Sequence, residues 1–150
     1  HDAHISLANL SGTCRRPHTL NRDLGCQATF FYHPERFLSS PFIRPEDLGR
    51  YEGVADAVKL CGRSLGPAFL EQAITAYSQG SFSGNLIELM DAAFPLSKRF
   101  FLDNKRLDPG FWNMVTECDK TCSRCGACLE SFSRAARTLP TTLEKYEAIP

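Results

Sequence analysis

Phe42-Ile43-Arg44-Pro45-Glu46-Asp47-Leu48, followed by Ala57-Val58-Lys59-Leu60-Cys61-Gly62-Arg63 and then Pro67-Ala68-Phe69-Leu70, is the stretch that decides the fold class. Phe42-Ile43 and Ala57–Cys61 are short apolar runs that read as strands, the second closed by Gly62-Arg63. Between them Pro45 suits the first turn of a helix reaching Tyr51, and Glu46 and Asp47 suit its positive end. Pro67 opens a second helix, in which Phe69-Leu70, Ala73-Ile74 and Tyr77 keep a spacing of three to four until Gly80 stops it. Strand–helix–strand–helix alternation points to an α/β protein with parallel strands.

Working outward, Ile5–Leu10 alternates apolar with small or polar residues and reads as another short strand. It runs into the turn Ser11-Gly12-Thr13-Cys14, and residues 15–29 read as a loop. Leu86-Ile87-Leu89-Met90 suggests a short helix ending before Pro95. Leu107–Glu117 reads as helical, with Phe111, Trp112 and Val115 as core-packing residues on one face. Leu129–Leu139 reads as a basic helix, with Arg134 and Arg137 on a solvated face, and residues 140–150 as a tail. Three strands are too few for a barrel by themselves. The expected division is 1–95 for the strands and helices, 96–139 for a helical cysteine-rich appendage, and the tail.

The chain has 150 residues, a length that suits one domain with a substantial core. Its 17 basic and 17 acidic side chains balance, which argues against nucleic-acid or membrane binding driven by net charge. No run of about 18 apolar residues occurs. The opening His1-Asp2-Ala3 lacks a basic-then-apolar leader, so none is expected, or it has been removed. The histidines form no H-E-x-x-H array and there is no G-x-S-x-G element, so serine or zinc hydrolysis is disfavoured.

Seven cysteines cannot all pair within one chain. Cys14, Cys26 and Cys61 are scattered, whereas Cys118, Cys122, Cys125 and Cys128 form C-x3-C-x2-C-x2-C. Short steps of this kind present several sulfurs to one metal more readily than they form disulfides. The density of the run is closer to ferredoxin-type strings than to two spaced C-x2-C zinc pairs, which favours 4Fe-4S with zinc as the alternative. A reduced, cytoplasmic setting follows from that preference. Disulfides stay open, in an extracellular interaction protein with one free thiol.

Several of these segments resemble the late barrel strands of the U-32 (collagenase-like) peptidase family. Arg44-Pro45-Glu46-Asp47-Leu48 is similar to its "(K/R)PEDL" element, and Lys59-Leu60-Cys61-Gly62-Arg63 to its "K-(I/L)-x-GR" strand end. Ala76-Tyr77 with Gly84-Asn85-Leu86 resembles an "AY…GNL" pattern of one branch. Asp103-Asn104-Lys105-Arg106-Leu107-Asp108 with Cys125-Gly126-Ala127-Cys128 resembles that branch's "DNRxLD … CxxC" ending. Ser11-Gly12-Thr13-Cys14 looks like "SGRC", an element that supplies a cluster cysteine.

The resemblance covers most of residues 5–137. It implies the C-terminal portion of a TIM-barrel-like (β/α) fold with a helical cysteine-rich appendage. It also implies an iron–sulfur cluster, and activities such as oxygen-independent hydroxylation, ubiquinone synthesis, or action on RNA. Cys14 and Cys26 fit two of the family's cluster cysteines. Leu7 and Gly49 stand where the other two are expected, and Cys61, at a strand end, is the substitute. Arg44, Lys59 and Arg63 are the expected groups for an anionic substrate, with paired hydrogen bonds from arginine to a carboxylate. Glu46 and Asp47 are either site carboxylates or helix-start residues. With the earlier strands missing, a second protein chain or the N-terminal barrel half is the expected partner, because an open sheet edge needs cover. Nucleic acid enters only as a substrate. A non-catalytic iron–sulfur electron-transfer or assembly subunit is the alternative to an enzyme.

Overall fold

A computed structural model describes residues 26–122 and 124–140. The expected strand at Ile5–Leu10, Cys14 and its turn, and most of the tail lie outside these residues.

The best-formed helix follows directly from its sequence. It runs Pro67–Gln79, with Pro67 at its first turn and Gly80 closing it in the left-handed conformation at φ 60°. The Ser81 N–H donates to the Ala76 carbonyl and the Gly80 N–H to that of Tyr77, which satisfies two end carbonyls. Phe69, Ala73 and Ala76 are the buried face, while Ile74, expected to share it, points to solvent. The other helices are shorter. Calling them in chain order, α1 is Cys26–Tyr32, α2 is Pro67–Gln79, α3 is Phe111–Thr116 and α4 is Ala127–Ala135. Tight 3₁₀ turns at Pro34–Phe37, Pro45–Tyr51, Arg63–Leu65, Leu86–Leu89, Phe94–Lys98 and Asn104–Arg106 fill much of the rest. Three of these begin at or beside a proline, whose fixed φ suits a first turn.

The described sheet is a single antiparallel pair, β1 (Phe100–Leu102) with β2 (Ala136–Thr138), in the register Phe100↔Thr138, Phe101↔Arg137 and Leu102↔Ala136. Sequence reading missed both strands. The basic helix expected over 129–139 stops at Ala135 because β1 offers the next residues a ladder of hydrogen bonds. Arg137 therefore lies over the Phe101 ring at 4.2 Å, not on a solvated helix face.

The strands expected at Phe42-Ile43 and Ala57–Cys61 do not form: both are irregular segments. Two apolar runs without a neighbouring strand have no ladder to join. Their apolar side chains face a cavity instead. The expected helix at Pro45–Tyr51 is present as 3₁₀ turns. The fold is thus mixed and mainly helical with one small sheet, a coarse match to the α/β class.

The core gathers around Phe37, which is fully buried. Its ring lies 4.8 Å from Phe30, 6.0 Å from Phe100 and 6.3 Å from Phe132, so α1, β1 and α4 meet there. Leu86, Ile87, Leu89, Leu102, Leu107 and Phe111 extend it. Trp112, expected in the core, is half-buried. It stands edge-on to Tyr51 at 5.3 Å, with the Arg50 guanidinium 5.3 Å from its ring.

Gly62 occupies φ 100°, and a Cβ there would stand 2.1 Å from Cε1 of Phe69. Backbone strain and a clash with a buried ring combine, so Gly62→Ala should lose about 2 kcal/mol or more. A clear fall in the urea midpoint without a change in slope would show this, whereas an unchanged midpoint would refute it.

Candidate functional site: an apolar cavity beside a buried polar clamp

Asn104 is fully buried, and all its hydrogen-bonding capacity is directed at distant segments. Its Nδ2 donates to Oε1 of Glu46 at 2.7 Å and to the Phe82 carbonyl at 2.8 Å. Its Oδ1 accepts from Nε of Arg44 at 2.9 Å, and its carbonyl accepts from Nη2 at 3.4 Å. The Asn104 N–H donates to the Gly84 carbonyl at 3.1 Å. Glu46 Oε1 also accepts from the Phe82 N–H at 2.8 Å, and Oε2 lies 3.7 Å from Nε of Arg44. The Arg44 guanidinium lies 5.5 Å from the Phe111 ring centroid.

Asn85 plays the same part for the sheet. Its Nδ2 donates to the Ser97 and Phe100 carbonyls, and its Oδ1 accepts from the N–H groups of Ile87 and Leu102. Satisfying four groups with one buried amide avoids the penalty that each would carry if left unpaired.

Burial alone would raise the Glu46 pKa. The hydrogen bonds from Phe82 and Asn104, with Arg44 nearby, outweigh it and hold the carboxyl below its ordinary 4.5. Tyr77 donates its O–H to the Ile43 carbonyl at 2.6 Å. Burial, then the Glu46 charge, pushes its pKa up to about 12, so the phenol stays neutral.

The segment held by Tyr77 and Arg44 forms one wall of a cavity of about 680 Å³. Phe42 and Ile43 line that wall, Val58 and Leu60 the next, Ala73 and Tyr77 of α2 the third, and Leu89 and Met90 a fourth. The lining is mainly apolar, with Ser40, Lys59, Cys61, Tyr77 and Asp91 as its polar side chains. A cavity of this size and character suits a small ligand with one apolar body and few polar anchors.

The expected substrate-binding cations are distributed unevenly. Lys59 lines the cavity and is exposed. Arg63 is exposed in its 3₁₀ turn and is not part of the lining. The expectation that these two sit at a buried strand end does not hold, since the strand is absent. Arg44 is committed to Asn104 and Glu46. Asp47 is buried and 3.7 Å from Nε of Arg50.

Of the expected cluster cysteines, Cys61 lines the cavity with a free thiol, Cys26 begins α1, and Cys14 lies outside the described residues. Cys118, Cys122, Cys125 and Cys128 are also free thiols, on the connection from α3 into α4. Among the described residues, no three His, Cys, Asp or Glu side chains already stand close enough to hold one metal ion. The quartet nevertheless fits a soft metal in its chemistry. Burial, then the neighbouring Cys118, Cys122 and Cys125 thiols, raise the Cys128 pKa. No described helix is long and apolar enough to cross a membrane.

The residues that sequence reading missed are Asn85 and Asn104, together with the cavity's apolar lining. Both asparagines stand in segments that carry the family resemblance, Gly84-Asn85-Leu86 and Asp103-Asn104-Lys105, but nothing local there marks them as buried hubs.

The chain is similar to an uncharacterized protease of Methanocaldococcus jannaschii, at 39% identity over 105 residues. The match covers 69% of this chain and 31% of that protein, so the chain spans about a third of its relative's length. No family model and no solved structure matches.

A carboxylate whose pKa is lower in the fold than in the unfolded chain contributes stability above the unfolded value and loses it as pH falls through the folded value. Thermal stability should therefore decline as pH drops below about 4.5, the Glu46 reference value. Glu46→Gln, less stable at neutral pH, should show a shallower acid decline. Parallel curves for the two proteins would contradict a linked Glu46.

Proposed function

We propose that this chain, which belongs with the U-32 peptidases, forms the late part of a (β/α) barrel in an iron–sulfur-dependent enzyme or enzyme subunit. Oxygen-independent hydroxylation of an aromatic or nucleic-acid substrate is the reaction class. The observation that carries this reading is the meeting of Lys59 and Cys61 on one apolar cavity. A residue expected to bind an anion and one expected to hold a cluster thus share a space sized for a small ligand. The protease name of the relative does not bring a hydrolytic apparatus with it, because neither H-E-x-x-H nor G-x-S-x-G occurs in the sequence.

Cys14, Cys26 and Cys61 would hold the cluster, with one further ligand from elsewhere. A cluster there supplies one-electron transfer. The chain's own residues do the rest. Lys59 takes the anionic end of the substrate as a point charge at the cavity, and Arg63 adds to the positive field beside that segment. The apolar walls receive the ring and exclude water, which strengthens the contact with Lys59. Arg44 is a positioning residue, fixing the Phe42-Ile43 wall through Asn104. The remaining barrel, from a partner chain or a longer polypeptide, would pair the irregular Ala57–Cys61 segment.

Two measurements test this. Benzoate, an aromatic anion, should bind the full chain in calorimetric titration, and Lys59→Met should weaken binding about tenfold. Anaerobic reconstitution with iron and sulfide should give absorbance near 400 nm that falls in Cys61→Ser. Equal benzoate affinity in both proteins, or equal iron and sulfide in Cys61→Ser, would overturn the respective role.

A further inference from the structure

The cysteine quartet is separate from the cavity: its four residues do not line it. It occupies the connection between α3, ending at Thr116, and α4, beginning at Ala127. Little but local turn bonding organises this stretch. The Cys122 N–H donates to the Lys120 carbonyl, and the Arg124 and Cys125 N–H groups both donate to that of Thr121. Lys120 is the described non-glycine residue with positive φ, at 63°. Such a conformation costs about 1 kcal/mol or more in an L-residue and persists where something else requires it.

The reversal at Lys120 bears on the cysteines on either side of it. It turns the chain between Cys118 and Cys122, and it aims the Lys120 N–H at Sγ of Cys118 at 3.4 Å. A backbone N–H donated to sulfur is the hydrogen bond that steadies a thiolate ligand. The second pair straddles the start of α4, with Cys125 before it and Cys128 in its first turn. All four sulfurs thus fall within eleven residues of sequence, with the reversal at Lys120 lying between the two members of the first pair.

We infer that Cys118, Cys122, Cys125 and Cys128 form a structural tetrathiolate zinc site that fastens α3 to α4, independent of the cavity and its chemistry. Exposure favours zinc over an iron–sulfur cluster. Cys122 and Cys125 are open to solvent and Cys118 is only half-buried, while Cys128 packs against the core. A cluster's potential depends on its shielding and on hydrogen bonds to its sulfurs. Zinc has no redox chemistry to protect and closes its coordination with four thiolates. Because no three of these sulfurs already stand at ligating distance, binding must draw the loop closed, coupling metal affinity to local order. The anchors for that closure exist: Cys128 sits on the core, and Ser131 of α4 donates to Sδ of Met114 of α3 at 3.4 Å.

The test is a titration of the reduced, metal-stripped full chain with Co²⁺ and then Zn²⁺. About one Co²⁺ per chain should bind with intense sulfur-to-cobalt absorption, Zn²⁺ should displace it, and amide exchange across 117–128 should slow. Cys125→Ser should weaken zinc binding at least about 100-fold, more than loss of an outer partner does. Cys61→Ser should leave zinc affinity unchanged. Absence of the cobalt–sulfur band, equal loss in Cys61→Ser, or iron with acid-labile sulfide that disappears in Cys125→Ser would each overturn the inference. Zinc at the quartet with no iron bound through Cys61 would leave this site standing and remove only the cluster reading.

Discussion

The fold depends on one buried side-chain amide. Asn104 joins three pieces of chain that are far apart in sequence: Arg44 and Glu46, the Phe82–Gly84 turn, and its own turn after β1. Replacing the amide by an apolar side chain would remove one hydrogen-bond partner each from Arg44 Nε, Glu46 Oε1 and the Phe82 carbonyl. An arginine and a carboxylate that are partly removed from water are tolerable here because they face each other and share the amide. Polar networks of this kind specify one arrangement when every member is satisfied.

The clamp's effect on function is geometric. Arg44 and the Tyr77–Ile43 hydrogen bond hold the short segment that walls the cavity, so two otherwise irregular residues have a fixed place. Lys59 and Cys61 come to the same space on a segment without secondary structure. The segments that carry the U-32 resemblance thereby acquire physical reasons. Arg44 and Glu46, Asn85, and Asn104 are clamp residues, while Gly62 provides a left-handed turn where Phe69 leaves no room for a Cβ. Lys59 and Cys61 are the members of these segments that bring a cation and a thiol to the cavity, beside Leu48, Leu60 and Tyr77.

Local signals were legible where local physics decides. Pro67 and Gly80 bound α2 correctly, and the spacing of Phe69 and Ala73 marks its buried face, although Ile74, read on the same face, is exposed and the buried Ala76 was not read on it. The short helical turn at Leu86–Leu89 was similarly readable from its apolar run, and Asn85 caps it by accepting from the Ile87 N–H. Pairing over long distances was not legible. β1 and β2 lie more than thirty residues apart, and nothing in Ala136–Thr138 names Phe100–Leu102 as its partner. Val58, Leu60 and Phe42 have strand composition, yet composition cannot supply a neighbouring strand. Arg44 read as a substrate-binding cation because its partner Asn104 is sixty residues away and carries no charge to advertise the pairing.

Arg44 and Asn104 act as one structural unit behind the cavity wall. A double-mutant cycle on unfolding free energy, with Arg44→Ala, Asn104→Ala and the double variant, measures that directly. A coupling energy of about 1 kcal/mol or more between the two sites is expected. Strictly additive effects, with coupling near zero, would contradict it.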